Sequence, residues 1–217
     1  MIKGLDIFDM DHTLIRHSSA RHFAMLGIRM RVFPLRLLTL IPLYYFFYRF
    51  GNMKSDYFNK RFRFLKGIPS EDLKSMAAMA FYKRMKKDIY PDATALIQEL
   101  QSQGRKVVIA TSAPYLVVQP LADYLNITEI LATRLEFKQG LSTGRILGAP
   151  LFKLEKKREV LHYIEQLGLR PEDCSFYSDS IHDLPLLKAV GNPIIVNPDL
   201  RLRLAARRRG WQIVRFS

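Results

Sequence analysis

The stretch Leu5-Asp6-Ile7-Phe8-Asp9-Met10-Asp11-His12-Thr13-Leu14 decides the fold. Lys3 to Phe8 reads as a short buried strand, and Thr13 onward as a turn into helix. Asp9 and Asp11 stand two residues apart directly past the strand's end. In parallel sheets that end faces the ligand crevice. A bland reading, in which both carboxylates serve a turn and a helix cap around Thr13, competes with a chemical one.

Working outward, a second acidic pair decides between them. Asp179 and Asp183 follow a second apolar stretch, Ser175 to Tyr177. Between the two sets the pattern alternates. Helices are expected over Ala93–Gln101, Tyr115–Leu125, Lys153–Leu167, Leu184–Ala189 and Arg201–Arg209. Strands are expected over Lys106–Ala110, Ile130–Phe137, Gly144–Leu147, Pro193–Val196 and Trp211–Phe216. Strands alternating with helices imply an α/β fold, a Rossmann-like parallel sheet. Residues 17–90 differ in texture, with long apolar-basic segments, and read as an inserted helical cap. The expected division is a catalytic core of 1–16 and 91–217 and a cap of 17–90.

The chemistry follows from the residue types. Asp9 is the candidate nucleophile, since an aspartate that accepts a phosphoryl group splits one displacement into two. The same aspartyl-phosphate serves hydrolysis or transfer to another alcohol. Asp11 is the candidate general acid and base. Asp9 and Asp179 are expected to share Mg²⁺, a hard cation that prefers oxygen ligands, with Asp183 on the metal side directly or through water. Thr111, at the end of the strand Val107-Val108-Ile109-Ala110, is the candidate hydroxyl donor to a phosphoryl oxygen, with Ser112 as the fallback. A lysine should neutralise the nucleophile. A helix beginning near residue 154 sets Lys157 on the face of Leu161 and Ile164, which makes it the first choice and Lys156 the alternative.

These pieces resemble the haloacid dehalogenase-like phosphohydrolases, and more narrowly the subclass with a helical cap between the first and second motifs, typified by phosphoserine phosphatase. The motifs are Phe8 to Leu14, the strand ending at Thr111, Lys157 with Leu161, and Tyr177-Ser178-Asp179-Ser180-Ile181-His182-Asp183-Leu184-Pro185-Leu186-Leu187. The likeness continues through Val190-Gly191-Asn192-Pro193, Val196-Asn197-Pro198 and Arg209-Gly210-Trp211. It implies that Asp9 attacks, that Asp11 handles protons, and that the backbone carbonyl of Asp11 joins Asp9 and Asp179 around Mg²⁺. His12 stands where a glycine is common, and so does Ser178. The Tyr-Ser-Asp-Ser string resembles some members that act on lipid phosphates.

Composition narrows the setting. A formal charge of +14 is concentrated in residues 17–90, with 15 Lys and Arg against 4 Asp and Glu. Such a field attracts anions of any kind. One cysteine, Cys174, excludes a disulfide framework and a cysteine-based zinc site. Acidic residues interrupt the opening apolar segment, so no secretory leader is read and the site is expected on the cytoplasmic side.

The charge-free run Leu37 to Tyr48 is 12 residues long, where a bilayer span needs about 20. It suits an interfacial helix at the inner face of the cytoplasmic membrane, among Arg29, Arg31, Arg36, Arg49, Lys54, Lys60, Arg61 and Arg63. A buried cap helix is the competing reading. The leading expectation is therefore a Mg²⁺-dependent phosphomonoester hydrolase on a lipid phosphate such as phosphatidylglycerophosphate. The alternative is a small-metabolite phosphatase of the phosphoserine or histidinol phosphate type. Arg21 and His22 are candidate headgroup contacts. A nonenzymatic binder of anionic membrane or RNA is the third reading, with Tyr57, Phe58, Phe62 and Phe64 as a secondary stacking platform.

Overall fold

The computed structural model describes residues 4–39 and 62–217. Eight strands and seven helices are assigned among them. The strands are β1 (Leu5–Phe8), β2 (Lys106–Pro114), β3 (Glu129–Thr133), β4 (Leu135–Lys138), β5 (Leu141–Ile146), β6 (Cys174–Ser178), β7 (Asn192–Val196) and β8 (Gln212–Val214). The helices are α1 (Ser19–Arg29), α2 (Ser70–Lys83), α3 (Pro91–Ser102), α4 (Tyr115–Tyr124), α5 (Leu154–Gln166), α6 (Leu184–Leu187) and α7 (Leu200–Arg209).

Six strands form one parallel sheet in the order β3-β2-β1-β6-β7-β8. The α/β class and parallel sheet expected from the alternating pattern are present. All four residues of β1 are buried, as a central strand covered on both faces requires. Its polar member, Asp6, is paired with Arg105 at the start of the neighbouring strand. One core layer holds Ile7, Val108, Val160, Ile164, Phe176, Leu187 and Ile195. On the opposite face Phe8, Ile109, Val117, Val118 and Tyr177 share one continuous cluster with Phe23, Leu73, Ala77 and Phe81 of the 17–90 segment. The described part of that segment is helical and packs on α4.

The order of the sheet positions the site. β2 and β3 lie to one side of β1, and β6, β7 and β8 to the other. The chain direction of winding therefore reverses between β1 and β6, where a crevice opens beyond the strand ends. Phe8 is opposite Tyr177 in register, and their rings stack with centroids 4.1 Å apart. Asp9 and Asp179 follow immediately on these adjacent strands.

One expected strand is two. The run Ile130–Phe137 breaks at Arg134, where the chain leaves the main sheet and enters the β4–β5 hairpin. That hairpin receives the 17–90 segment: the Gly67 N–H donates to the Ser142 carbonyl (2.7 Å), the Ser142 N–H to Ile68 (2.9 Å) and the Ser70 N–H to Gly140 (2.8 Å). Gly144 permits the approach. Its φ is +72°, and a Cβ there would lie 3.1 Å from the Arg63 Cα. The two crossings between sheet and inserted segment run side by side, with the Arg16 N–H donating to Asp88 (2.8 Å) and the Tyr90 N–H to Leu14 (3.0 Å).

Candidate active site

Asp9 lies one residue past β1, and its N–H donates to the Tyr177 carbonyl at 2.9 Å. This bond extends the β1–β6 ladder to the nucleophile candidate and holds its backbone. Asp9, Asp179 and Asp183 are all buried, at 7%, 6% and 4% exposure. Three carboxylates out of water need positive charge nearby. Lys156, at 3% exposure, supplies one: its Nζ donates to Asp9 Oδ1 (3.0 Å) and to Asp183 Oδ2 (2.8 Å).

The expectation for Lys157 is corrected here. Helix α5 begins at Leu154 and buries Lys156, Val160 and Ile164. These are spaced by four, so they share one face. Lys157 lies about 100° further round the helix and is only half-buried. The apolar residues Leu161 and Tyr163 are partly buried beside the same stripe, so the sequence alone does not fix which lysine is central.

Electrostatics sharpen the picture. Burial pushes the Asp9 carboxyl up to about 7, with Lys156 opposing the shift and Asp183 adding to it. Burial works to lower Lys156, but Asp183 and Asp9 outweigh it and hold the ammonium above its ordinary value. The lysine therefore stays charged, and one ammonium faces three buried carboxyl groups. A donor set of oxygens alone fits a hard divalent cation. Asp9 and Asp179 are the carboxylates that suit it. Asp183 is engaged by Lys156 and by the Ser178 hydroxyl (2.7 Å). Asp11 Oδ1 accepts from the Ser19 N–H at 2.8 Å. Among the described residues no three His, Cys, Asp or Glu side chains are gathered as a ready metal cage.

Asp11 and α1 form a separate contact of interest. Ser19 opens the helix, and its N–H places the Asp11 carboxylate at the positive helix end. Thr13 is buried and its hydroxyl donates to Asp179 Oδ1 at 3.5 Å. Thr111 is buried in β2, two residues past Ile109, the partner of Phe8 at the end of β1, and its Oγ1 accepts from the Ala113 N–H (3.3 Å). Ser112 is half-buried, and its carbonyl accepts from the Thr133 hydroxyl (3.0 Å).

His12 has φ 61°, the left-handed conformation that explains why glycine is common at its position. Its Nδ1 meets the Arg16 carbonyl at 2.9 Å. Lys153, immediately before α5, also has positive φ (51°) with ψ −114°. Backbone strain of this kind gathers at functional loops.

The two headgroup candidates lie in the first turn of α1. Arg21 is exposed; two residues beyond the inward Ser19, it points to the far side of α1. His22 Nε2 meets Asp88 Oδ2 at 2.6 Å, which ties the helix to the returning chain. The stacking platform is corrected in part. Phe62 is buried and Phe64 is packed against the core, while Tyr57 and Phe58 lie outside the described residues. Most of Leu37–Tyr48 also lies outside them.

Sequence reading gave no role to Ser19 or Asp199 and took Thr13 only as part of the first motif. Asp199 carried a legible signal as a helix cap before Leu200, but its other oxygen accepts from the Ile181 N–H, 18 residues away.

The aspartate–lysine centre lies at the reversal point of a parallel sheet, where ligands bind in folds of this class, and comparison places the chain in a family. Residues 7–188 match the haloacid dehalogenase-like hydrolase family, and the chain belongs to it. Its relatives place it in the phosphoserine phosphatase-like subclass. It is 31% identical over 216 residues to phosphoserine phosphatase SerB1 of Mycobacterium tuberculosis, covering 96% of this chain and 70% of that one. It is 29% identical to a histidinol-phosphatase of Neisseria meningitidis, with all of both chains covered. A crystal structure of a protein of unknown function from Bordetella pertussis Tohama I superposes with TM-score 0.88, at 26% identity and 99% coverage of each chain. A phosphoserine phosphatase with a phospho-aspartyl intermediate analogue shares the fold, with TM-score 0.70 and 21% identity over 98% of this chain and 93% of that one.

Proposed function

We propose that this enzyme is a Mg²⁺-dependent phosphomonoesterase acting on a small phosphorylated metabolite of the phosphoserine or histidinol phosphate kind. The observation that carries the chemistry is the buried Asp9–Lys156–Asp183 cluster, with Asp179 beside it at the sheet crevice. The substrate class rests on the relatives, whose names favour small metabolites over the lipid phosphate that the cap composition suggested.

In this reading an Asp9 carboxylate oxygen attacks phosphorus and the bond to the leaving alkoxide breaks. Asp11, oriented by the Ser19 N–H, gives its proton to that alkoxide. It then takes a proton from water as the water oxygen attacks the same phosphorus, and the bond to Asp9 breaks to release phosphate. Lys156 holds Asp9 in place and offsets phosphoryl charge, and Thr111 donates to a phosphoryl oxygen. Asp9, Asp179 and the backbone carbonyl of Asp11 would hold Mg²⁺, which when bound would supply Lewis-acid polarisation of the phosphoryl group.

The test is phosphate release with Mg²⁺ from phosphoserine, histidinol phosphate and micellar phosphatidylglycerophosphate, with Asp9→Asn as the blank. Preference for a small phosphate supports the proposal. Preference for the micellar lipid restores the lipid reading, and release by Asp9→Asn equal to wild type removes the proposed nucleophile.

A second reading concerns location, and rests on one surface. Met30 (42%), Val32 (40%), Leu35 (72%) and Leu38 (43%) are exposed among the exposed Arg29, Arg31 and Arg36. Phe33 and Leu37 turn inward, as in a buried cap. Among the described residues no helix is long and apolar enough to cross a membrane. An apolar-basic surface of this kind suits the headgroup layer of an anionic bilayer. Co-sedimentation with phosphatidylglycerol vesicles, lost on Leu35→Ser with Leu38→Ser, supports it; no binding by the wild type removes it.

A further inference from the structure

Asp199 lies outside the four motifs, at the start of α7. Its Oδ1 accepts from the Leu202 N–H at 2.8 Å, an N-cap bond. Its other oxygen, Oδ2, accepts from the Ile181 N–H at 3.1 Å. Its own N–H donates to the Asp179 carbonyl at 3.0 Å. The side chain is buried, at 8% exposure.

The segment that these bonds grip is the one that carries Asp179 and Asp183. Within it, the Ser180 N–H donates to the Ser178 hydroxyl (3.2 Å), the His182 N–H to the Ser180 hydroxyl (3.3 Å) and the Asp183 N–H to the Ser180 carbonyl (3.1 Å). Those bonds are internal to the loop. The grip of Asp199 is different in kind, because it ties the loop to the head of the helix that follows β7.

The geometry points to Asp199 as a positioning residue for the metal-facing carboxylate Asp179, acting through the backbone on either side of Ser180. A carboxylate suits this duty because it has two oxygens: one ends the helix and the other holds the loop. A single-oxygen cap residue can do only the first. This inference rests on the Mg²⁺ reading above. Groups that orient metal ligands typically matter by about 10- to 100-fold in metal affinity.

The test uses the whole chain, with Mg²⁺ binding measured by titration calorimetry without substrate, and melting measured without metal. Asp199→Ser keeps a good helix cap but cannot also serve Ile181. The expected result is a Mg²⁺ Kd about 10- to 100-fold weaker than wild type, with metal-free melting within about 4 °C. Asp199→Asn, of the same shape, should weaken Mg²⁺ in the same direction, because its amide NH₂ cannot accept. Wild-type Mg²⁺ affinity in both variants overturns the inference, as does a fall in melting temperature without a change in affinity. If neither variant folds, Asp199 is a residue of the fold and the inference fails. Absence of Mg²⁺ binding in the wild type is a separate outcome, and overturns the metal reading itself.

Discussion

Lys156 Nζ lies 3.0 Å from Asp9 Oδ1 and 2.8 Å from Asp183 Oδ2, so one ammonium joins the loops that follow β1 and β6. The bridge is almost fully out of water, with the Lys156 side chain 4% exposed. It links the proposed nucleophile to the acidic loop more directly than any apolar contact does.

Lys156→Met should therefore lower phosphate release by about 100- to 1,000-fold, the usual effect of removing one electrostatic partner of a reacting group. It should also destabilise the metal-free protein by about 3–5 kcal/mol, since buried charges lose their partner. Lys157→Met should leave turnover within about 2-fold and stability within about 0.5 kcal/mol. Initial rates and urea midpoints of the two variants check this. Equal losses in both would place the catalytic lysine wrongly.

Asp9 sets a pH dependence in the metal-free protein. Its carboxyl is raised from 3.8 to about 7 on folding, so the native state keeps a proton that the unfolded chain has released. Stability from this group is greatest below the ordinary carboxylate value. It declines as pH rises from 3.8 to about 7 and is level above. Urea midpoints in EDTA at pH 5 and pH 8 should show a larger fall for wild type than for Asp9→Asn, which lacks the titrating group. Parallel falls would show that Asp9 is not the source.

Lys153 adopts φ 51° and ψ −114° at the head of α5, a conformation in which a Cβ costs about 1–3 kcal/mol. Lys153→Gly relieves this strain and should raise the melting temperature by about 2–4 °C. Lys153→Ala, which keeps the Cβ, should not. A rise in both, measured by calorimetry, would assign the effect to charge instead.

Thr111 is buried in β2, two residues past the partner of Phe8, and its hydroxyl oxygen accepts from the Ala113 N–H. Thr111→Val preserves shape and removes the hydrogen-bonding oxygen. Turnover should fall by about 100- to 1,000-fold, by analogy with other single donors to a charged oxygen, while Thr111→Ser retains most of it. Steady-state rates at saturating Mg²⁺ decide the matter; an active valine variant would exclude the hydroxyl.

The sequence by itself determined the parallel α/β class and where the acidic loops fall, because both depend on short-range regularities. A buried strand shows as a short run rich in apolar residues, as in Leu5–Phe8 (with Asp6 its one polar member) and Cys174–Ser178, and a carboxylate just past it is visible in the same few residues. What required tertiary structure was everything that depends on strand order or helix rotation. That β1 and β6 are neighbours, so that Asp9 and Asp179 follow adjacent strand ends, is fixed by the packing of the whole sheet. The choice of Lys156 over Lys157 turns on a rotation of about 100°, which the α5 stripe of Val160 and Ile164 sets against the sheet. Asp199 shows the same division. Its cap to Leu202 spans three residues and is local, whereas its hold on Ile181 spans 18 and exists only because β7 brings α7 back beside the acidic loop.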